Sequence, residues 1–232
     1  FEKIVYSSTA TIKLNDINIP SAMTTISWRM LANCGLTELF LPSTVKHIED
    51  GAFSHNESLK SVTLSEGLET IGNSAFSYTA IESLVLPESV KSIGEQCFDY
   101  CRELNSITLS SQIRVIPMYA FGNCKALKTI ELPDGLETIG FGCFGESGIE
   151  TIQIPSSVTT IEEHAFRQSQ LKNIHIPETV ITVNGDIFWE CQHLQYLIWD
   201  SPAELVNTSA VGSSCMVYLA NENIVFGADW KN

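Results

Sequence analysis

Apolar residues return along this chain in one pattern that repeats every 22 or 23 residues, with polar residues in fixed places between them. One repeat reads L-x-x-I-x-L-P-x-x-V-x-x-I-x-x-x-A-F-x-x-C-x-x, and its phenylalanine fixes the register of the copies. Leu31 takes this position in the first copy, and the later copies have Phe53, Phe76, Phe98, Phe121, Phe144, Phe166 and Phe188. The first apolar position holds Leu14, Leu36, Leu59, Ile81, Leu104, Leu127, Ile149 and Leu171, and Leu194 opens a ninth, degenerate turn.

The L-x-x-I-x-L part of each repeat predicts a short β-strand with one buried face, because its fourth and sixth positions are apolar and the position between them is polar. Eight repeats therefore place eight such strands side by side in parallel. Proline follows the sixth position in six repeats and marks where the strand ends, because it cannot donate to a ladder of backbone hydrogen bonds. These residues are Pro20, Pro42, Pro87, Pro133, Pro155 and Pro177.

The rest of each repeat predicts the opposite wall of a coil. A second apolar pair three residues apart, such as Val45 and Ile48, faces the same core, and the Ala-Phe pair follows it. Segments such as residues 94–99 are too short for a stable isolated helix, so we expect one-turn helical or 3₁₀ pieces held by packing. The expected fold class is α/β, a solenoid with a parallel β-sheet on one side and short helical, 3₁₀ and extended segments on the other.

A single coil cannot bury its own apolar face, so the repeats are expected to form one domain with capped ends. Residues 1–13 are predicted to form an N-terminal cap, residues 14–193 the eight repeats, and residues 194–232 a degenerate turn and a C-terminal cap. Val217, Tyr218 and Leu219 read as a final strand, and residues 223–230 are expected to cover the last coil.

The repeat, seen intact from Ile81 to Cys101, resembles the BspA-like class of leucine-rich repeat found in bacterial surface proteins and some protist ones. The resemblance covers about residues 14–197. It implies a right-handed solenoid with its parallel sheet on the concave face and the helical and extended segments on the convex side. It also implies an exported or cell-surface protein with a role in adhesion. Val217, Tyr218 and Trp230 resemble the closing strand and tryptophan of such domains, although Ala220 departs from the usual proline.

Composition narrows the classes of partner. Lysine and arginine number 13 against 27 aspartate and glutamate, and the resulting formal charge of -14 repels nucleic-acid phosphates and anionic lipid headgroups. No run of eighteen apolar residues occurs, so no span across a bilayer is predicted. The chain starts at Phe1 without an initiator methionine, so any targeting segment is expected to have been removed. The expected secreted or cell-surface location therefore rests on the family resemblance.

Six of the seven cysteines fall in repeat positions. Cys34, Cys101, Cys124 and Cys191 lie three residues after the phenylalanine position, where other repeats carry small polar residues, and Cys97 and Cys143 replace the alanine before it. We interpret them as structural thiols. No second ligand pair accompanies Cys97 and Cys101 at zinc-site spacing, so no metal or other cofactor is predicted. The five histidines share no motif and no nucleophile elbow or phosphate loop is present, which argues against an enzyme.

Two rows of strand residues are expected to point away from the core. The third-position row comprises Glu38, Ser61, Ser83, Ser106, Thr129, Thr151, Asn173 and Tyr196, and the fifth-position row comprises Phe40, Thr63, Val85, Thr108, Glu131, Gln153, His175 and Ile198. Serine and threonine also suit a solvated sheet that binds nothing. The candidate ligand-binding residues, with exposed aromatics as the usual anchors, are Phe40, Thr63, Thr108, Glu131, Gln153, His175, Tyr196 and Ile198.

The function predicted from the sequence is non-catalytic recognition of an extracellular protein or glycan by a monomer, with no nucleic acid and no membrane insertion. The alternative is a structural spacer in a larger surface protein. In that case the two rows could be exchanged among serine, threonine and asparagine without consequence. An enzyme and a binder of an ordered lattice are the remaining classes, and Glu131, Gln153 and Val85 argue against a lattice because they interrupt the hydroxyl rows.

Overall fold

Seven phenylalanine rings form a continuous column through the core of the chain. The structure, a computed structural model, describes residues 19–205 and 215–219. Within it each ring stacks on the next, from Phe53 to Phe188, with ring centroids 5.3 to 5.9 Å apart and interplanar angles of 5° to 21°. All seven rings are buried. The register predicted from the phenylalanine position is therefore confirmed.

Within the described residues, fifteen short strands make up the coils. They are β1 (Thr25–Ile26), β2 (Glu38–Phe40), β3 (His47–Ile48), β4 (Ser61–Thr63), β5 (Thr70–Ile71), β6 (Ser83–Val85), β7 (Ser92–Ile93), β8 (Ser106–Thr108), β9 (Val115–Ile116), β10 (Thr138–Ile139), β11 (Thr160–Ile161), β12 (Asn173–Ile176), β13 (Thr182–Val183), β14 (Tyr196–Trp199) and β15 (Met216–Leu219). The last of these confirms the predicted final strand.

All strand pairs are parallel and join adjacent coils on two walls. The first wall holds the L-x-x-I-x-L strands, in the orders β2-β4-β6-β8 and β12-β14-β15. The second wall holds the two-residue strands, in the orders β1-β3-β5-β7 and β13-β11-β10-β9. Pairs such as Leu39 with Val62 and Leu84 with Ile107 keep equivalent repeat positions level with each other. Side chains of one repeat position therefore form straight rows along the molecule.

Two of the predicted first-wall strands do not form. Residues 129–131 are not paired as a strand, and residues 151–153 contribute only a bridge between Thr151 and Asn173. The side chains nevertheless keep the predicted alternation, because Ile130 and Ile152 are buried in the core while their neighbours are exposed. Burial of the apolar side chains thus fixes which residues face outward, even where the ladder is interrupted.

Between β1 and β13 the second wall is interrupted once, between β7 and β9. In other coils the residue after the second-wall strand donates its N–H to the preceding coil, as Gly72 does to the Ile48 carbonyl and Gly140 to the Ile116 carbonyl, both at 2.8 Å. Pro117 occupies this place after β9. Proline has no N–H, so this bond of the ladder cannot form.

The helical and 3₁₀ pieces predicted beside the phenylalanines are wrong: the described part of the chain contains no helix. Residues 95–100 form turns instead. Residues four apart in this segment take left-handed backbone angles, with φ of 56° at Gln96 and 60° at Tyr100. Alternate N–H groups also point to the next coil, as in the bonds from Phe98 to the Ala120 carbonyl and from Tyr100 to the Gly122 carbonyl, each 2.9 Å. A helix would need right-handed angles throughout and those same N–H groups for its own carbonyls.

The small side chains three residues after the phenylalanines form a row of buried hydrogen-bond donors. The Cys101 and Cys124 thiols donate to the carbonyls of Phe76 and Phe98, at 3.1 and 3.2 Å, and the Thr79 hydroxyl donates to the Phe76 carbonyl. Burial raises the pKa of Cys101 to about 11 and raises that of Cys124 well above its usual value. These thiols are protonated at neutral pH and serve as packed hydrogen-bond donors.

Several predictions fall on residues outside the described part of the chain. They concern the N-terminal cap at residues 1–13, the first-copy residue Leu14, and the tail with Ala220 and Trp230.

Candidate binding surface

The outer face of the first wall carries both predicted rows. All eight side chains of the third-position row and all eight of the fifth-position row are exposed, and the residues between them, such as Val62 and Leu84, are buried. The prediction of which strand residues face outward is therefore confirmed. Whether these residues bind a ligand stays a prediction.

The eight candidate residues extend over most of the molecule. Phe40 and Ile198 occupy the same row seven coils apart, which at the spacing of paired strands corresponds to about 34 Å. Thr63, Thr108, Glu131 and Gln153 lie between them in the same row, and short hydroxyl side chains flank most of that distance. The candidates therefore do not form one small-molecule site, and only a long partner could contact all of them.

The C-terminal end of this face is different, because four exposed apolar side chains meet there. Strand β15 pairs with β14 so that Met216 lies beside Tyr196 and Tyr218 lies beside Ile198. Their exposed fractions lie between 42% and 55%. We call Tyr196, Ile198, Met216 and Tyr218 the apolar block. Contiguous exposed apolar side chains on a folded protein are characteristic of interaction sites.

Sequence reasoning found half of the apolar block. It placed Tyr196 and Ile198 in the rows and predicted a strand at residues 217–219, but it ended both rows one strand early. Continuing the rows by one coil onto β15 would have added Met216 and Tyr218, which occupy the third and fifth positions there. The rows were not continued that far because the repeat pattern is degenerate in the turn before β15.

His175 lies next to the block and is already paired. Its Nε2 is 2.7 Å from Oδ2 of Asp200, and its strand position is level with Ile198. The contact becomes an ion pair when the imidazole is protonated. His175 and Asp200 therefore form a polar border on the apolar block.

The two tryptophans near this end have other roles. Trp199 is fully buried and packs in the core, and its Nε1 donates to the Ala203 carbonyl at 3.1 Å. Trp189 follows Phe188 in the turns. The Arg167 guanidinium lies over its ring, 5.8 Å from the ring centre. Neither tryptophan belongs to the outer face of the first wall.

The described residues contain no group of three or more histidine, cysteine, aspartate or glutamate side chains that could hold a metal ion. The cysteine positions used by the repeat are buried. Asn56, within the sequence motif for glycosylation at residues 56–58, is also buried and donates through Nδ2 to the carbonyls of Leu31 and Phe53. In residues 19–205 and 215–219 there is no helix long and apolar enough to cross a membrane.

Solved structures of bacterial leucine-rich repeat proteins share this fold. A leucine-rich repeat protein from Bacteroides ovatus superposes with a TM-score of 0.67 at 21% identity, over 88% of this chain and 66% of that one. A leucine-rich cell-surface protein from Faecalibacterium prausnitzii gives a TM-score of 0.55 at 30% identity, over 77% of this chain and 43% of the other. This chain thus spans about two thirds of the first protein and less than half of the second.

Sequence comparison identifies the repeat itself. No curated protein matches the chain in sequence. The model of the BspA type leucine-rich repeat region matches residues 2–105 and 91–215, with six copies of the repeat. These two ranges include most of the chain and all of the stacked phenylalanines. The chain therefore belongs to the BspA-type leucine-rich repeat family.

Proposed function

We propose that this chain is a non-catalytic recognition module of an exported or cell-surface protein, and that it binds a protein partner through the apolar block. The observation that carries the proposal is the exposure of Tyr196, Ile198, Met216 and Tyr218 on two adjacent strands. Tyrosine and methionine are enriched at protein interfaces, where they supply apolar area at the centre of the contact. The cell-surface location is supported by the likeness to the leucine-rich cell-surface protein from Faecalibacterium prausnitzii.

The chemistry of the block favours a protein over a glycan. Its side chains are apolar apart from the two tyrosine hydroxyls, whereas a sugar needs several polar groups aimed at its own hydroxyls. The partner should present apolar side chains to the block. It should also carry basic residues, because the chain is acidic overall and Asp200 lies at the border of the block.

An array of purified extracellular proteins and glycans tests this function. We expect the chain to bind at least one protein on the array. The variant Tyr196→Ala/Tyr218→Ala should weaken that binding by about 30-fold or more, because two central aromatic anchors are removed. The variant Ser61→Ala/Ser106→Ala alters the same face in its middle and is the matched control, with unchanged affinity expected.

Two results would contradict the proposal. Binding of a protein that is equally strong in both variants would place the contact elsewhere on the molecule. Absence of any binding, with circular dichroism showing a folded chain, would favour the structural spacer.

A further inference from the structure

The turns beside the buried phenylalanines carry a second aromatic column on the surface. Each of its three residues, His55, Tyr78 and Tyr100, lies two positions after a phenylalanine of the core. The ring centroids are 4.6 Å apart between His55 and Tyr78 and 4.5 Å apart between Tyr78 and Tyr100, with the planes within 11° of parallel. The Arg102 guanidinium lies 5.4 Å from the Tyr100 ring centre at the end of the column. We call these three rings the turn-face column.

The repeat does not require aromatic residues at this position. The later coils carry Asn123, Glu146, Gln168 and Glu190 there, with the same left-handed backbone. Glu146 pairs with Arg167 at 2.8 Å, and Gln168 donates to Glu190. Asparagine also suits a left-handed angle better than tyrosine does. The first coil also carries an asparagine there, Asn33. The aromatic residues of the three coils in between are therefore a property of the surface rather than of the fold.

A cleft of about 330 Å³ lies beside this column. Trp28, which is 68% exposed, borders the cleft, and His55 and Tyr78 of the column also line it. Every other side chain in its lining is polar, with Arg29, Asp50 and Asn73 among them. The Arg29 guanidinium lies 5.9 Å from the Trp28 ring centre. No aliphatic side chain lines this cleft. We call it the turn-face cleft.

Two polar groups of the cleft hold each other in place. Asp50 Oδ1 accepts from the Asn73 backbone N–H at 2.7 Å, and Asp50 Oδ2 accepts from Asn73 Nδ2 at 3.3 Å. Asn73 Oδ1 in turn accepts from the Glu95 backbone N–H at 2.8 Å. A carboxylate has about four acceptor sites and an amide nitrogen has two hydrogens. Asp50 and Asn73 thus keep hydrogen-bonding capacity for a ligand, and their geometry is set before it arrives.

We propose that the turn-face cleft binds a neutral sugar unit of a glycan, with its C–H face on the Trp28 indole and its hydroxyls on Asp50 and Asn73. The negative face of an aromatic ring attracts polarised C–H groups, while fixed acceptors and donors orient the hydroxyls. The absence of aliphatic lining disfavours an apolar peptide anchor. The lining carries one cation and one anion, Arg29 and Asp50, which offset each other. The charge of -14 on the whole chain therefore disfavours acidic sugars.

The proposal is independent of protein binding at the apolar block, because the two surfaces share no residue. A glycan array with neutral and acidic oligosaccharides tests it on the full chain. We expect binding to neutral glycans, and the Trp28→Ala variant should lower the affinity for the strongest of them about tenfold or more by calorimetry. The Trp28→Phe variant should retain part of the affinity, because it keeps an aromatic face.

Phe40→Ala is the matched control, since Phe40 is 67% exposed and lies on the first wall. Both Phe40→Ala and Tyr196→Ala/Tyr218→Ala should bind the glycan as the unchanged chain does. Quenching of tryptophan fluorescence by the same glycan gives a second measurement that needs no variant. No bound glycan, a preference for acidic glycans, or affinity unchanged in Trp28→Ala would each overturn the proposal. A protein that binds in place of a glycan and is lost in Trp28→Ala would overturn it as well.

Discussion

The buried phenylalanine column and the turn-face column are built by the same repeat and stack in a similar way, yet only one of them is required by the fold. The buried rings continue through seven coils without a change of residue. The turn-face rings occupy three coils and give way to Asn123 in the next. Regular stacking is therefore no sign of function in a solenoid. A row whose residues change while its backbone does not is the better indication of surface chemistry.

The largest effect is expected from breaking the buried column. Phe121→Ala removes a fully buried ring that stacks on Phe98 and Phe144, and the free energy of unfolding should fall by about 3–5 kcal/mol. Urea denaturation measures this. Phe121→Leu is the control, because Leu31 already fills the same repeat position, and it should cost clearly less. A loss below about 1 kcal/mol in Phe121→Ala would mean that the buried phenylalanine column contributes little to the stability of the core.

A smaller effect is expected from Asp99, which lies between the two columns, directly after Phe98 and before Tyr100. Burial raises the pKa of Asp99 to about 6 from a usual value of 3.8. A raised acid pKa in the folded state means that the folded chain loses stability as the pH rises from 3.8 through about 6. Neighbouring coils carry Ser54 and Ser77 here, whose hydroxyls donate to the Gly51 and Ser74 carbonyls.

Asp99→Ser should therefore stabilise the chain by about 1–3 kcal/mol at pH 7.5 and give no gain at pH 3.5. Urea denaturation of both proteins across this pH range measures the difference. The variant loses the hydrogen bond that Asn123 Nδ2 donates to Asp99 Oδ1, at 3.4 Å. This loss offsets part of the gain in stability, which is why the expected range begins at its lower value. A difference that does not change with pH would show that the Asp99 carboxyl is not the cause.

The smallest effect is expected from the turn-face column. Tyr78→Asn introduces the residue type that Asn123 supplies two coils later in the same row, and asparagine suits the φ of 58° at this position. Loss of the two ring contacts should cost about 1 kcal/mol, partly offset by the better backbone. A double-mutant cycle with Tyr100→Asn measures the ring coupling. A cost comparable to that of Phe121→Ala would remove the distinction between the two columns.

The sequence predicts the parts of this fold that depend on burial. Phe53 to Phe188, the inward ladder with Cys101 and Cys124, and the outward rows all follow from apolar spacing. The turns do not, because Gln96 and Tyr100 take left-handed angles that sequence reasoning assigns to glycine or asparagine. Their N–H bonds to the next coil depend on stacking between distant residues, which local helix signals do not report.

The sequence predicts the rows of the first wall but not the turn-face cleft, again because the turns depend on contacts between distant residues. The third- and fifth-position rows follow directly from strand alternation, so Tyr196 and Ile198 were found. The turn-face cleft combines positions before and after the phenylalanine, since Trp28, Asp50 and Asn73 each lie three residues before that position and Tyr78 lies two after it. Its residues meet only once the turns are known, and the turns were predicted as helical pieces.

The interruption at Pro117 bears on how the molecule would resist being pulled from its ends. The second wall is interrupted between β7 and β9, whereas the first wall is interrupted after β8. At the first of these boundaries β6 still pairs with β8, and at the next β9 still pairs with β10. Every boundary between adjacent described coils therefore keeps at least one backbone ladder. Tension along the described coils meets no plane held by side chains alone, and mechanical failure is expected to start at boundaries that keep one ladder instead of two, such as those on either side of β9.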